Sequence, residues 1–226
     1  MSLSANICKN HTKTSFFCQH GHTFFAAALT VLIGFSAVFL QAGCIQPEHN
    51  PSTAAIFAGI NIAICLYVNA YNNLAVLYGN MGRYAEALDF HEKSLALKTQ
   101  ILPAQHPGIA LSMNNLANTH LTLGAADKAL PFLQQALAIR RANFADSHPD
   151  IAQTLVNLGR AYAALGRNAE AEAHLREGLK LRESAKSVGL IAYALEQLAP
   201  VLRANKKPKE AATMEKRAAS LRKQAG

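Results

Sequence analysis

The chain has 226 residues, of which 50% are hydrophobic and 16% are charged, and its formal net charge at pH 7 is +8. This composition is sufficient for one or two domains with a buried core. Residues 176–226 contain twelve Lys and Arg against five Glu, but neither interleaved aromatic residues nor a nucleic-acid motif accompanies them, so we predict a solvated helix face and no nucleic-acid partner.

Residues 1–23 form a polar N-terminal tail that is predicted to be disordered. The tail is rich in cysteine and histidine: Cys8, His11, Cys18, His20 and His22. Their spacing matches no standard zinc pattern. We therefore predict no metal site and no cofactor.

Residues 24–46 have the features of a signal or a membrane anchor. The run from Phe24 to Leu40 has no charged residue over 17 positions, and small residues follow it before Cys44. This arrangement resembles a bacterial lipoprotein signal, and the resemblance implies cleavage and lipidation of Cys44. Such signals have leucine where this chain has Gln41, so an uncleaved anchor and a buried soluble helix remain as alternatives.

Residues 47–66 combine a linker with a second apolar run. Turn-forming residues come first, and the uncharged stretch from Ala54 to Val68 follows, with Ser52 or Thr53 placed to cap a helix. We predict a helix that runs into the first repeat and covers its open end. The alternative is a two-pass membrane hairpin.

Residues 67–226 repeat themselves with a period of 42 residues. The string Asn72-Asn73-Leu74-Ala75 returns at 114–117 and in part at 157–159, and glycine recurs at positions 82, 124 and 166. In the first unit, helix A is predicted over about 68–81 and helix B over about 84–101, joined by a turn at the glycine. A fixed period of this size indicates stacked helix pairs.

The second and third units open with His-Pro, at His106 and His148. Proline suits the first helical position because its missing N–H would be unbonded there. Each histidine is therefore predicted to cap a helix, and a catalytic role is disfavoured.

Small and large residues alternate within the units at helical spacing, which indicates close helix packing. The small positions are Ala75, Ala117 and Gly159; Ala87, Ala129 and Ala171; and Ser94, Ala136 and Gly178. The large positions are Leu74, Leu116 and Leu158, followed by Leu95, Leu137 and Leu179.

A fourth, degenerate unit aligns at an offset of 40 residues. Lys206 stands where glycine is expected, and Pro200 falls inside helix A. Because proline removes a helical hydrogen bond, it is predicted to kink or shorten this helix. An amphipathic final helix is predicted from about Lys207 to Lys223.

These repeats resemble tetratricopeptide repeats, in particular the 42-residue kind of kinesin light chains and many bacterial proteins. The resemblance rests on the Leu74-Ala75-x-x-Tyr78 pattern, the glycine turn and the His-Pro junctions. It implies an all-α, right-handed α-solenoid of antiparallel helix pairs, with three clear repeats and one degenerate repeat, preceded by an apolar N-terminal helix.

A second stripe on helix A is polar and follows i, i+3, i+4, i+7 spacing. The resemblance implies that this face lines a concave groove, where amides could hold the backbone of an extended peptide and Arg160 could bind a carboxylate. The alternative is a ladder of asparagines bonded between repeats. The predicted groove residues are Asn69, Asn72, Asn73, Asn80, Asn114, Asn115, Asn118, Gln153, Asn157, Arg160 and Gln197.

The predicted function is therefore a scaffold that binds another protein through a peptide segment, tethered to a membrane by the N-terminal segment. No phosphate loop or nucleophile motif is found, so an enzyme is not predicted. The predicted location is a bacterial envelope, facing the periplasm, or alternatively the cytoplasm. The competing function is self-assembly through an exposed edge or the basic C-terminal helix, with the groove empty; the oligomeric state is left open.

Overall fold

A computed structural model describes the backbone of residues 51–225 and the side chains of residues 66–224. The described part is all-helical and contains no strand, as predicted. Its helices are α1 (Pro51–Asn80), α2 (Tyr84–Ile101), α3 (Pro107–Thr122), α4 (Ala126–Asn143), α5 (Pro149–Ala164), α6 (Asn168–Ser184), α7 (Val188–Ala204) and α8 (Pro208–Ala225).

The chain divides into two units with a boundary between Cys65 and Leu66, and the repeats lie in the second unit. The polar tail, the apolar run from Phe24 to Leu40 and the candidate lipidation site Cys44 all lie outside the described residues. Among the helices that are described, none is both long enough and apolar enough to cross a membrane.

Helix α1 joins two elements that the sequence analysis treated separately. The apolar run from Ala54 continues without a break into helix A of the first repeat and ends at Asn80. The prediction of a helix running into the repeats is confirmed. Whether it covers their open end depends on side chains before Leu66, which lie outside those that the structure describes.

From α2 onward, each helix packs against the next helix along the chain. In addition, α3 contacts α5 and α5 contacts α7. Helix α1 joins this row through a hydrogen bond from Asn115 on α3 to Asn72. We call the face formed by the A helices of successive repeats, α1, α3, α5 and α7, the A-helix surface. This arrangement is the expected stack of helix pairs.

Left-handed backbone conformations produce the turns inside each repeat. Gly82, Gly124 and Gly166 have φ angles of 74°, 76° and 75°, a region that glycine adopts without steric penalty. In the fourth repeat Lys206 takes the same role with φ 61°. A side chain in this conformation costs about 1 kcal/mol or more, so the degenerate repeat keeps its turn at some expense of stability.

The His-Pro junctions act as the sequence predicted. Nδ1 of His106 accepts a hydrogen bond from the Gly108 N–H at 3.0 Å, and Nδ1 of His148 accepts one from the Asp150 N–H at 3.2 Å. Each histidine satisfies an N–H that the first helical turn leaves unbonded. Both histidines are helix caps.

The core follows the predicted alternation of small and large residues with one exception. The small residues at all three helix A and all three early helix B positions are buried, as are Leu116 and Leu158. Their equivalent Leu74 is 39% exposed. The prediction that Leu74 fills the space between helices is therefore wrong. Leu116 and Leu158 are buried because described repeats lie on both sides of them, whereas Leu74 lies in the A helix of the first repeat.

The fourth helix pair also departs from expectation at its proline. Helix α7 runs through Pro200 to Ala204 and, with 17 residues, is longer than α3 and α5, which have 16 each. The predicted shortening is wrong. The ring of Pro200 is exposed, so one helical hydrogen bond is lost without disturbing the packed side of the helix. The final helix is found where it was predicted.

Three buried cations at 42-residue spacing link each B helix to the following A helix; we call Lys98, Arg140 and Arg182 the joint cations. Lys98 Nζ donates to Ser112 Oγ at 2.8 Å. Arg140 donates to the Asp150 carbonyl oxygen at 2.6 Å and to Thr154 Oγ1. Burial lowers the pKa of all three side chains. Their burial was not predicted from the sequence.

Candidate functional site

The predicted groove residues lie on the A-helix surface, but their exposure differs. Asn69, Asn73, Asn80 and Asn118 are exposed. A second group is partly buried: Asn72, Asn115, Gln153, Arg160 and Gln197. Asn114 and Asn157 are buried, with exposed fractions of 5% and 1%.

Amide side chains form a ladder between successive A helices. Asn115 Nδ2 donates to Asn72 Oδ1 at 3.1 Å, and Asn157 Nδ2 donates to Asn114 Oδ1 at 3.2 Å. The ladder was the alternative interpretation of the stripe. It explains why asparagine is kept in helices despite its helix propensity, about 0.5 kcal/mol poorer than that of alanine.

Burial within the ladder changes the prediction for two of its members. Asn114 and Asn157 have no appreciable surface to offer a ligand, because their amides are enclosed between the A helices. Gln153 is engaged as well, since its Oε1 accepts a hydrogen bond from Arg182 at 2.9 Å. The exposed asparagines, Asn115 and Arg160 remain as the candidate ligand-facing groups.

We expect Asn157→Ala to lower the free energy of unfolding by about 1–2 kcal/mol, because Asn114 Oδ1 would stay buried without its donor. Asn73 occupies the equivalent position in the first repeat but is exposed, so Asn73→Ala should change stability by no more than about 0.5 kcal/mol. Urea denaturation followed by circular dichroism compares the two variants. Equal effects would show that the ladder contributes nothing to the stack.

Arg160 is the central cation of the A-helix surface. Its Nη1 donates to Asn118 Oδ1 at 2.8 Å and to Asn157 Oδ1 at 3.3 Å. It makes no ion pair with any residue that the structure describes. Because a guanidinium carries five N–H donors, the two amides hold the side chain in place and leave donors for an anion.

A cavity of about 420 Å³ opens beside Arg160. Its walls come from the A helices of the last three repeats and from Asn168 at the start of α6, with Leu121, Arg160 and Gln197 among the lining residues. Ala163, Ala164 and Val201 supply apolar surface. A charged donor next to apolar walls suits a short peptide segment that ends in, or carries, a carboxylate.

A second cavity of about 280 Å³ lies between the A helices of the first two repeats. Three predicted groove residues line it: Asn80, Asn115 and Asn118. His91 of helix α2 also lines it, although it was not predicted. The sequence signal was present, because the two later repeats have leucine at the equivalent positions 133 and 175, but it lay outside the helix A stripe.

His91 is 4% exposed, and its Nδ1 has no hydrogen-bond partner among the described residues. Burial, and then the positive charge of Lys98, lower the pKa of the imidazole to about 4. The ring is therefore neutral near pH 7 and can accept or donate a hydrogen bond.

The remaining histidines of the core make ring contacts. His120 stacks on Phe132 with centroids 6.3 Å apart, and His174 stacks on Tyr162 at 5.3 Å. Within residues 66–224, no group of three or more His, Cys, Asp or Glu side chains is arranged to hold a metal ion.

Comparison with known proteins identifies the repeats. The family model described as tetratricopeptide repeat matches residues 66–142, 126–184 and 150–224. The chain belongs to the tetratricopeptide repeat family. Arrays of this family are general scaffolds for protein–protein interaction and are generally not enzymes. No curated protein sequence matches the chain.

Solved structures with this fold include kinesin-light-chain-like tetratricopeptide arrays. Nearly identical TPR-like repeats of the kinesin light chain type from Podosopora anserina give a TM-score of 0.62 at 23% identity, covering 70% of this chain and 76% of that one. BtubC (BKLC) from P. vanneervenii gives 0.65 at 22% identity, with 72% and 65% covered. The predicted resemblance is confirmed at the level of fold.

A third solved structure with a similar fold was determined with another molecule bound. The Rap protein complexed with Competence and Sporulation Factor gives a TM-score of 0.62 at 15% identity. The match covers 68% of this chain but only 42% of the Rap protein. At this identity the likeness concerns the fold alone.

Proposed function

We propose that the A-helix surface of this tetratricopeptide array binds an extended peptide segment of another protein. The observation that carries the proposal is Arg160, which two asparagine oxygens hold beside a cavity of about 420 Å³. It has donors to spare and no carboxylate partner among the described residues. An acidic side chain or a terminal carboxylate of the peptide would supply that partner.

The exposed amides support an extended ligand. Asn69, Asn73 and Asn80 on α1, and Asn118 on α3, present primary amides to solvent. A primary amide offers two donors and an acceptor, which can pair with the N–H and C=O of a peptide backbone without selecting its sequence. In this proposal Arg160 selects for charge, while the amides hold the chain.

Selection from a library of displayed random 12-residue peptides, with free and with blocked C-termini, tests the proposal on the full chain. We expect enrichment of peptides carrying an acidic residue or a free terminus. Arg160→Gln should weaken the selected peptides about tenfold, equivalent to about 1.4 kcal/mol, because one charge-assisted contact is lost. Isothermal titration calorimetry measures the affinities.

Arg167→Gln is the matched control. Arg167 is an exposed arginine paired with Glu170 at the start of α6, so its loss should leave peptide affinity unchanged. The proposal fails if no peptide is enriched or if both variants bind alike. A mass that rises with concentration in light scattering, together with no peptide binding, would instead favour self-assembly of the array.

We further propose that the segment before the repeats tethers the array to a bacterial membrane. The support is the uncharged run from Phe24 to Leu40 and the small residues that precede Cys44. If Cys44 is lipidated, the repeats face the periplasm when the protein remains in the inner membrane.

Cys44→Ser should abolish incorporation of a radiolabelled fatty acid in a bacterial host and should block processing, because the acceptor thiol is gone. Mobility on a denaturing gel and the label itself are the two measurements. Wild-type protein that carries no label and migrates like the variant would contradict lipidation and favour an uncleaved anchor. Cys65→Ser is the matched control and should keep the label.

A further inference from the structure

His91 occupies a position that the second and third repeats fill with leucine. Leu133 and Leu175 are both fully buried at the equivalent sites. Replacing leucine with a buried imidazole whose Nδ1 has no partner costs about 1–3 kcal/mol. The second and third repeats avoid this cost because they have leucine here, so packing alone does not account for the imidazole in the first repeat.

The cavity lined by His91 opens on the A-helix surface. Asn80, Asn118 and Thr122 are exposed at its rim, and Ala75 and Thr119 are buried deeper in it. Its volume of about 280 Å³ is several times the roughly 30 Å³ that a water molecule occupies in the liquid. The space therefore accommodates a side chain and is larger than a single water requires.

No charged side chain lines this cavity. Its polar groups are amides, hydroxyls and the neutral imidazole of His91. Some of these are already engaged: Thr119 and Thr122 hydroxyls donate to carbonyl oxygens one turn earlier, at 3.2 Å and 2.9 Å, and Asn118 Oδ1 accepts from Arg160. The amide group of Asn80, the Nδ2 of Asn118 and the imidazole of His91 make no hydrogen bond within the described part, and the Nδ1 of His91 is itself fully buried.

We propose that the cavity lined by His91 is a subsite for an uncharged hydrogen-bonding side chain, an amide or a hydroxyl, of the bound peptide. The inference rests on the proposed peptide-binding function and adds a second specificity to it. A charged side chain would be desolvated here without an opposite charge, which is strongly unfavourable. An apolar side chain would leave the edge of the His91 imidazole that lines the cavity, and the amide groups of Asn80 and Asn118, without a hydrogen-bond partner.

The two cavities then define a polarity pattern along the ligand. Asn118 connects them, because it lines the His91 cavity and accepts the hydrogen bond from Arg160. A peptide spanning both would present a neutral polar side chain near α1 and a carboxylate near α5. An array with this pattern would prefer certain peptide sequences, whereas an array that contacts only the peptide backbone would bind any extended peptide.

His91→Leu tests the subsite, because it installs the residue of the second and third repeats and should fold at least as stably as wild type. The full chain and the variant are each selected against displayed random 12-residue peptides. A selected peptide is then compared with its Gln→Leu or Ser→Ala partner at the enriched position. We expect about tenfold preference for the polar peptide in wild type and near-equal affinities in the variant.

His120→Tyr is the matched control: it replaces another buried histidine with the residue found at the equivalent positions 78 and 162, and His120 lies away from the cavity against Phe132. It should leave the preference intact. The subsite is overturned if His91→Leu keeps the preference for the polar peptide, or if the peptides selected by wild type share an acidic residue and nothing else. Peptide binding itself would stand in either case. A water molecule bound to His91 would give this result. Pools without enrichment overturn both proposals.

Discussion

The Arg140→Ala variant is expected to lose about 3–4 kcal/mol of free energy of unfolding. Arg140 is 1% exposed and among the largest fully buried side chains of the described core. Its removal leaves a cavity between α4 and α5 and takes away the donors that reach the Asp150 carbonyl oxygen and Thr154. Both losses act at a joint between repeats, so the stack is weakened where it is held together.

Arg140→Met separates packing from charge at this joint. Methionine keeps most of the volume, and it removes the desolvated guanidinium, including an Nε that has no hydrogen-bond partner among the described residues. Replacing buried ionic groups with apolar ones of similar size is often neutral or stabilising, so this variant should lie within about 1.5 kcal/mol of wild type. Thermal and urea denaturation measure both variants; a methionine variant as unstable as the alanine one would show that charge, not volume, holds the joint.

The fold could be predicted from sequence because its signals are local and repeated. The glycine turns, the His-Pro junctions and the small residues each follow from backbone or packing geometry inside one helix pair. Three copies at constant spacing removed the ambiguity that one copy would leave. The exceptions are two single positions, Leu74 and Pro200. The burial of Leu74 and the tolerance of the helix for Pro200 both depend on whether a neighbouring element packs against that side of the helix.

The joint cations could not be recognised in the same way. Lys98, Arg140 and Arg182 recur every 42 residues, but a charged residue in the last turn of a helix is also what an exposed, dipole-stabilised end would show. Their buried hydrogen bonds are made to other helices: Lys98 and Arg140 bond to hydroxyls 14 residues further on, in Ser112 and Thr154, and Arg182 bonds to the Leu190 carbonyl oxygen. Only the period, applied to charged as well as apolar residues, contained this information.

The candidate site was predicted in part for a related reason. The 42-residue spacing places Asn73, Asn115 and Asn157 at equivalent positions of three A helices. Asn73 is nevertheless exposed, Asn115 is partly buried and Asn157 is buried. An amide that pairs with its neighbour across a repeat has the same sequence signature as one that awaits a ligand. Arg160 and the exposed asparagines remain candidates because their surroundings leave donors unused.

Gly159→Ala is expected to lower the free energy of unfolding by about 2–3 kcal/mol. A Cβ at this position would lie 2.4 Å from Cγ of Leu175 and 3.1 Å from the Ala171 carbonyl oxygen. Leu175 is fully buried, so it cannot move aside without displacing its own neighbours. The first two repeats have alanine at the equivalent positions 75 and 117. A comparison of the repeat sequences alone would therefore predict that alanine is tolerated at position 159.

The same substitution at Gly79 provides the control with the opposite sign. Gly79 also lies in an A helix, but a Cβ there would meet nothing within 4 Å. Gly79→Ala should therefore stabilise the protein by up to about 1 kcal/mol through helix propensity. Urea denaturation of the two variants under identical conditions tests the difference. If Gly159→Ala were as stable as Gly79→Ala, α5 and α6 would have to separate slightly without loss of packing, and the close approach at Gly159 would not determine the geometry of the third repeat.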